Sequence, residues 1–218
     1  MKKVLLTIIL SMFAFAHANA VTISIGAAGN QSVFYASATE KNHDESGTLR
    51  TTASGDGAFD PAYASVFFEI GNETASIGAS YSDNFKTPKA INEFNTAGTN
   101  NTTEVEAHFE NLITYYGKVN LPLGGLYAKA GFQTVDIETV ETTKSGVSYP
   151  DTSTDGLIIG LGYEHQAGNG FAIRVELIGH EFDDVEVDNG QGTGGNLNKI
   201  EVTEMYGATA SLAVVKSF

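Results

Sequence analysis

Eight segments of this chain alternate apolar and polar residues one for one, and the connections between them are alternately long and short. The last segment, Tyr206 to Phe218, shows the pattern most fully. Counting back from Phe218 in twos meets Lys216, Val214, Leu212, Ala210, Ala208 and Tyr206, while the other parity meets Ser217, Val215, Ala213, Ser211, Thr209 and Gly207. Successive strand side chains point to opposite faces, so this is a strand with one largely apolar face and one small, mostly polar face. After residue 20 no window is continuously apolar for long enough to cross a bilayer as a helix. A place in the membrane therefore requires strands closed into a ring, the one alternative that leaves no backbone group unpaired in lipid.

The other segments follow the same rule. Val21 to about Thr39 reads as one long strand with a kink, or a turn, at Gly29–Asn30. Val66, Phe68 and Ile70 alternate with Phe67 and Glu69, and Ala75, Ile77, Ala79 and Tyr81 with Ser76, Gly78 and Ser80. In the fourth, Phe109, Asn111, Ile113 and Tyr115 share a face opposite His108, Glu110, Leu112, Thr114, Tyr116 and Lys118. The fifth sets Leu126, Ala128, Ala130 and Phe132 against Tyr127, Lys129, Gly131 and Gln133; Val135 and Ile137 then break the parity, which predicts a bulge near Thr134 or the strand's exit from the membrane. Ile159, Leu161 and Tyr163, then Ile173, Val175 and Leu177, mark the sixth and seventh. Lys41–Asp60, Asp83–Glu104, Thr142–Asp155 and Gly190–Asn198 read as long polar loops, and Gly71–Glu73, Leu121–Gly125 and Ala167–Gly170 as tight turns. Both termini fall at the end with the tight turns, the asymmetry of outer-membrane barrels.

A basic start at Lys2–Lys3, an apolar run from Val4 to Ala16 and the small residues Ala18 and Ala20 predict a secretory signal peptide over 1–20, with one barrel domain over 21–218. With Lys+Arg 12 against Asp+Glu 26 the net charge is -14, which argues against nucleic acid as a partner. Cysteine is absent, so disulfides, thiolate metal sites and cysteine nucleophiles are excluded.

The chain resembles the small eight-stranded outer-membrane β-barrels of the OmpX and OmpA transmembrane-domain type, over Val21 to Phe218. The most specific element is Phe218 with Tyr206, Leu212 and Val214 in step, similar to that family's signal for the barrel-assembly machinery; Lys216 departs from it. The resemblance implies an all-β, antiparallel up-and-down barrel in the cell outer membrane, monomeric, in contact with lipid and lipopolysaccharide, with an extracellular partner that the loops do not name; no peptidoglycan-binding domain is expected, since the barrel pattern runs to Phe218. A soluble lipocalin-like binding barrel would alternate identically. Gly78, Gly131, Gly160, Gly162 and Ser211 on the polar face suit a cramped interior better than a soluble exterior, which carries more Lys and Glu.

On that reading Glu69, Lys118, Lys129, Glu164, Arg174 and Glu176 point into the lumen, where an eight-stranded ring leaves just enough room for side chains and buried charges must pair. The same groups could instead line a narrow channel for ions or small solutes. Centring the turn after Gln166 on Asn169 pairs Ala167 with Phe171, Tyr163 with Val175 outside and Glu164 with Arg174 inside. No catalytic, cofactor or metal set is assigned. His180 and Glu181 fall on opposite faces of a strand, and Asp183, Asp184, Glu186 and Asp188 read as a solvated acidic rim rather than a divalent-ion site.

Overall fold

Each alternating segment pairs with its sequence neighbours, and the first meets the last. The computed structural model describes residues 21–218 apart from 45, 88–89, 97–98, 143–148 and 191–196, so the leader assigned to 1–20 lies outside the described residues. Among the described residues eleven antiparallel strands form one sheet: β1 Thr22–His43, β2 Leu49–Phe59, β3 Ala62–Gly71, β4 Ala75–Lys86, β5 Ala90–Thr96, β6 Thr99–Asn120, β7 Leu126–Thr142, β8 Thr152–Gly168, β9 Phe171–Phe182, β10 Val185–Asp188 and β11 Leu197–Ser217. Eight of them, β1, β3, β4, β6, β7, β8, β9 and β11, form the ring, closed by β1 against β11 from Ser24 opposite Ser217 to His43 opposite Leu197. β1 runs unbroken through Gly29 and Asn30, so no turn interrupts it.

The remaining three strands prolong the wall where loops were expected. β2 continues the β3 stave beyond Asp60–Pro61 and pairs with the far half of β1, β5 continues β4 along β6, and β10 continues β9 along β11. β8 likewise begins at Thr152 and β11 at Leu197. Beyond the ring the wall divides into a four-stranded sheet, β10–β11–β1–β2, and a three-stranded one, β5–β6–β7. Nearly every residue of β2 is exposed. A strand outside lipid needs no apolar face, so its sequence carries no alternation to read.

The polarity is inside out. Ile159 is 72% exposed and Leu177 64%, whereas Glu69 and Arg174 are each 2% exposed. Val66, Phe68, Val175 and Leu212 lie exposed on the outer wall, Ile77 and Ile113 are half-buried, and Tyr81, Tyr115, Tyr163 and Tyr206 stand exposed on the same side. An apolar outer wall around buried charges is the arrangement that hydrocarbon solvent demands and water penalises.

Two parity expectations fail for identifiable reasons. β7 and β8 keep one register from Leu126 to Ile137 with no bulge at Thr134. Val135 is fully buried and Ile137 packs on the same cluster, because the interior itself turns apolar there. The irregularity lies instead in β6, between Glu110 and Ile113, where Asn111 takes φ 52°. It returns Phe109 to the inside with Leu112 and turns His108 and Glu110 outward.

Candidate functional site: the barrel lumen

The lumen is filled in three layers. Nearest the tight turns, at the periplasmic end by the convention of such barrels, Arg174 on β9 donates to both oxygens of Glu69 on β3, at 2.7 and 2.9 Å. Its remaining donors reach Glu164 on β8 at 3.0 and 2.7 Å. The Lys118 ammonium on β6 lies 3.1 Å from Glu69 and 3.6 Å from Glu164, and Tyr116 donates to Glu69 at 2.8 Å. One turn further in, Lys129 on β7 pairs with Glu176 at 3.2 Å while Tyr127 donates to that carboxylate at 2.7 Å. Lys129 also sits 3.9 Å from the centre of the Tyr116 ring, and the Arg174 guanidinium 4.9 Å from that of Phe67.

Three carboxylates meet three cations, so the layer is neutral by formal charge. Backbone register brings them together: Glu164 stands opposite Arg174, Lys118 opposite Lys129, and Gly162 opposite both Tyr127 and Glu176. The glycine is required. A Cβ on Gly162 would fall on the Tyr127 ring. Strands β8 and β9 close through Asn169 and Gly170, both with positive φ, and the extra residue is taken up between Gln166 and Gly168, so Gly168 rather than Ala167 faces Phe171. Asn-Gly fits this two-residue turn, whose twist matches that of the strands.

The middle layer, directly above Lys129 and Glu176, is built of hydroxyl, amide and imidazole groups. Ser32 and Thr209 share a hydrogen bond of 2.6 Å, Thr209 lies 2.8 Å from His180 Nε2, and Gln133 lies 3.0 Å from His180 Nδ1. Below them a cavity of about 40 Å³, lined by Thr114, Lys129, Glu176, His180, Thr209 and Ser211 among others, has room for a water molecule or two.

The third layer is aromatic. Phe85 stacks between Tyr63 and Phe109 at 5.0 and 5.1 Å, Phe59 stacks on Phe109 at 5.6 Å, and Phe34 meets Phe59, Phe85 and Phe182 at 5.5 to 6.1 Å. Leu112, Val135, Val185 and Met205 complete this core, which lies between the two sheets that rise from the ring. Alternation in the sequence conceals these aromatics, because it sets Phe109 on the outer face and places Phe59 and Phe85 in polar segments that read as loops. Tyr116 and Tyr127 had a legible signal, their parity with Lys118 and Lys129.

Tyr206, Leu212, Val214 and Phe218 are all exposed on the outer side. The Lys216 ammonium donates to the Asn169 carbonyl in the β8–β9 turn and lies 4.6 Å from the Phe171 ring centre and 5.4 Å from that of Phe218, at the edge of the apolar band. Asp184, Glu186 and Asp188 point out along β10 while Val185 and Val187 pack inward; Glu186 accepts from Lys199 at 2.7 Å. Within the expected Gly190–Asn198 loop, residues 191–196 lie outside the described residues.

A ring of eight strands with an apolar outer wall and a filled polar interior defines a class: a small integral outer-membrane β-barrel. Among solved structures, the chain is similar to the outer membrane protein OprG of Pseudomonas aeruginosa, with a TM-score of 0.54 at 12% identity over 93% of this chain and 97% of that one. Lesser likenesses are to the outer membrane protease OmpT of Escherichia coli (TM-score 0.43, 8% identity, over 89% of this chain and 97% of that one) and Neisserial surface protein A (TM-score 0.40, 10% identity, over 86% of this chain and 97% of that one). No family model matches the sequence, and no curated protein does.

Proposed function

We propose that this protein serves the outer membrane as a sealed barrel, a structural element whose outward sheets form a surface for interaction, rather than as a passage or an enzyme. One observation carries the reading: the lumen is closed twice, by a neutral layer of paired charges and by stacked aromatic rings. An ion entering from the periplasmic side meets Arg174 and Lys129 already committed to carboxylates, and one entering from outside meets Phe34, Phe85 and Phe109. Thr209, His180 and Gln133 have the order of a nucleophile, base and orienting group, but Thr209 and Gln133 are each 1% exposed and the adjoining cavity holds water, not a substrate.

The same reading takes residues 1–20 as an export signal, the outward Tyr206, Leu212, Val214 and Phe218 as the element presented to the barrel-assembly machinery, and lipid with lipopolysaccharide as the surroundings of a monomer. Its test is conductance in planar bilayers. The intact protein should give no steady unitary current; regular openings whose cation preference disappears in Glu176→Gln would replace this reading with a narrow channel.

A further inference from the structure

The irregularity in β6 has an effect outside the barrel as well as within it. By turning His108 and Glu110 outward it sets them on one face with Glu138 of β7, which stands directly opposite His108. One ligand atom from each of the three lies within 4.8 Å of the others, and His108 Nδ1 is 3.4 Å from Glu138 Oε2. We propose that His108, Glu110 and Glu138 bind one divalent transition-metal ion of the zinc class on the outer wall, just beyond the apolar band.

The donor set selects the ion. An imidazole suits zinc, nickel, copper or iron, whereas calcium takes six to eight oxygens and magnesium keeps most of its water. Three protein ligands leave an open position on a tetrahedral ion, and such ligands stand roughly 3.3 Å apart when each is about 2 Å from the metal. His108 and Glu138 already have that spacing, so closure asks chiefly for a rotamer change at Glu110. The backbone beneath is fixed independently: Tyr81 donates to Asn111 Oδ1 at 3.1 Å, and Asn111 Nδ2 donates to Asp136 at 3.0 Å, on the strand that carries Glu138. Asp136 faces Glu110 across the pair and adds negative charge, while Lys86, opposite His108 on β4, opposes it. Affinity should accordingly be moderate. The ion would fasten β6 to β7 where the three-stranded sheet leaves the ring.

The test uses the full barrel folded in detergent and stripped with a chelator, titrated calorimetrically with zinc chloride, with cobalt(II) absorption as a second readout of the imidazole–carboxylate environment. One equivalent should bind. His108→Ala and Glu138→Gln should each weaken binding about tenfold or more, Asp184→Asn in the separate acidic segment should not, and millimolar calcium should fail to displace the zinc. Glu138 is half exposed, so its variant folds regardless and decides the matter if His108→Ala does not. No saturable zinc binding, wild-type affinity in Glu138→Gln, or displacement by calcium would each overturn the proposal.

Discussion

Arg174 and Glu69 join opposite parts of the ring through its interior, with β11 and β1 between their strands, in a two-pronged contact of 2.7 and 2.9 Å. The guanidinium fork matches the carboxylate and leaves two donors for Glu164, so one side chain ties β9 to both β3 and β8. Breaking such a pair by removing one partner strands a buried charge.

Arg174→Ala should therefore cost about 3–5 kcal/mol, because Glu69 and Glu164 are left to share the single ammonium of Lys118. Urea unfolding in lipid vesicles measures it. Adding Glu69→Gln should restore part of the loss, and a double-mutant cycle should return a coupling of about 0.5–3 kcal/mol. Additive losses would show that the two residues act separately.

The outer wall answers to lipid. Ile159→Arg places a cation where the side chain is 72% exposed on the apolar band, and should cost about 2–4 kcal/mol if the site is near the midplane. Unchanged folding in bilayers, read by the heat-dependent gel mobility of the barrel, would count against the membrane assignment.

Gly162→Ala tests the interior from the opposite side. Its Cβ would displace the Tyr127 ring and with it the hydroxyl that donates to Glu176, so overpacking should cost about 1–3 kcal/mol. Tyr127→Phe in the same background should relieve little, since the clash is with the ring.

Between β1 and β2, the Asp44 carboxylate accepts hydrogen bonds from the Ser46 hydroxyl at 2.6 Å and from the Thr48 and Ser46 amides at 2.9 Å, with Arg50 3.1 Å away. These hold its pKa down from 3.8 to about 2. A depressed carboxylate stabilises the folded turn above the ordinary value, and that contribution fades as pH falls from near 4 through about 2. The Ser46 and Thr48 amide shifts should titrate with the low midpoint; a midpoint near 3.8 would mean the turn is not held this way.

Phe218→Ala separates recognition from stability. If the outward aromatic is read by the assembly machinery, the variant should refold from urea into detergent much as the parent does while its yield of assembled barrel in cells falls. Equal losses in both settings would mean the ring serves only the lipid interface.

How far the fold could be read from the sequence depended on what surrounds each residue. Where lipid lies outside and the ring is narrow, one face must be apolar and the other small or paired, so Glu164 opposite Arg174 follows from matching inward charges, while the turn itself differs from the expected one and the irregularity between Gln166 and Gly168 restores the register. Above the lipid that constraint lapses. Leu49–Phe59 forms a strand on backbone pairing with β1, and nothing in its side chains announces it. Val135 and Ile137 misled in the opposite sense, since alternation says that a face is apolar but not whether lipid or a packed interior makes it so. The parity of Phe109 depended on Asn111 adopting φ 52°, a local conformation that no periodicity encodes.

Closure of β1 on β11 also bears on how the barrel comes to exist. Ser24 and Ser217 share a hydrogen bond of 2.8 Å although 193 residues separate them, whereas every other seam of the ring joins neighbours in sequence. Hairpins can form locally and early, but the seam bears the entropy of the largest loop in the molecule and is rewarded only when the rest is aligned. Until then both β1 and β11 present bare edges, which lipid penalises and other chains can capture. The kinetic bottleneck of assembly should accordingly be the meeting of these two strands, and the species at risk of aggregation an open sheet whose hairpins are already native.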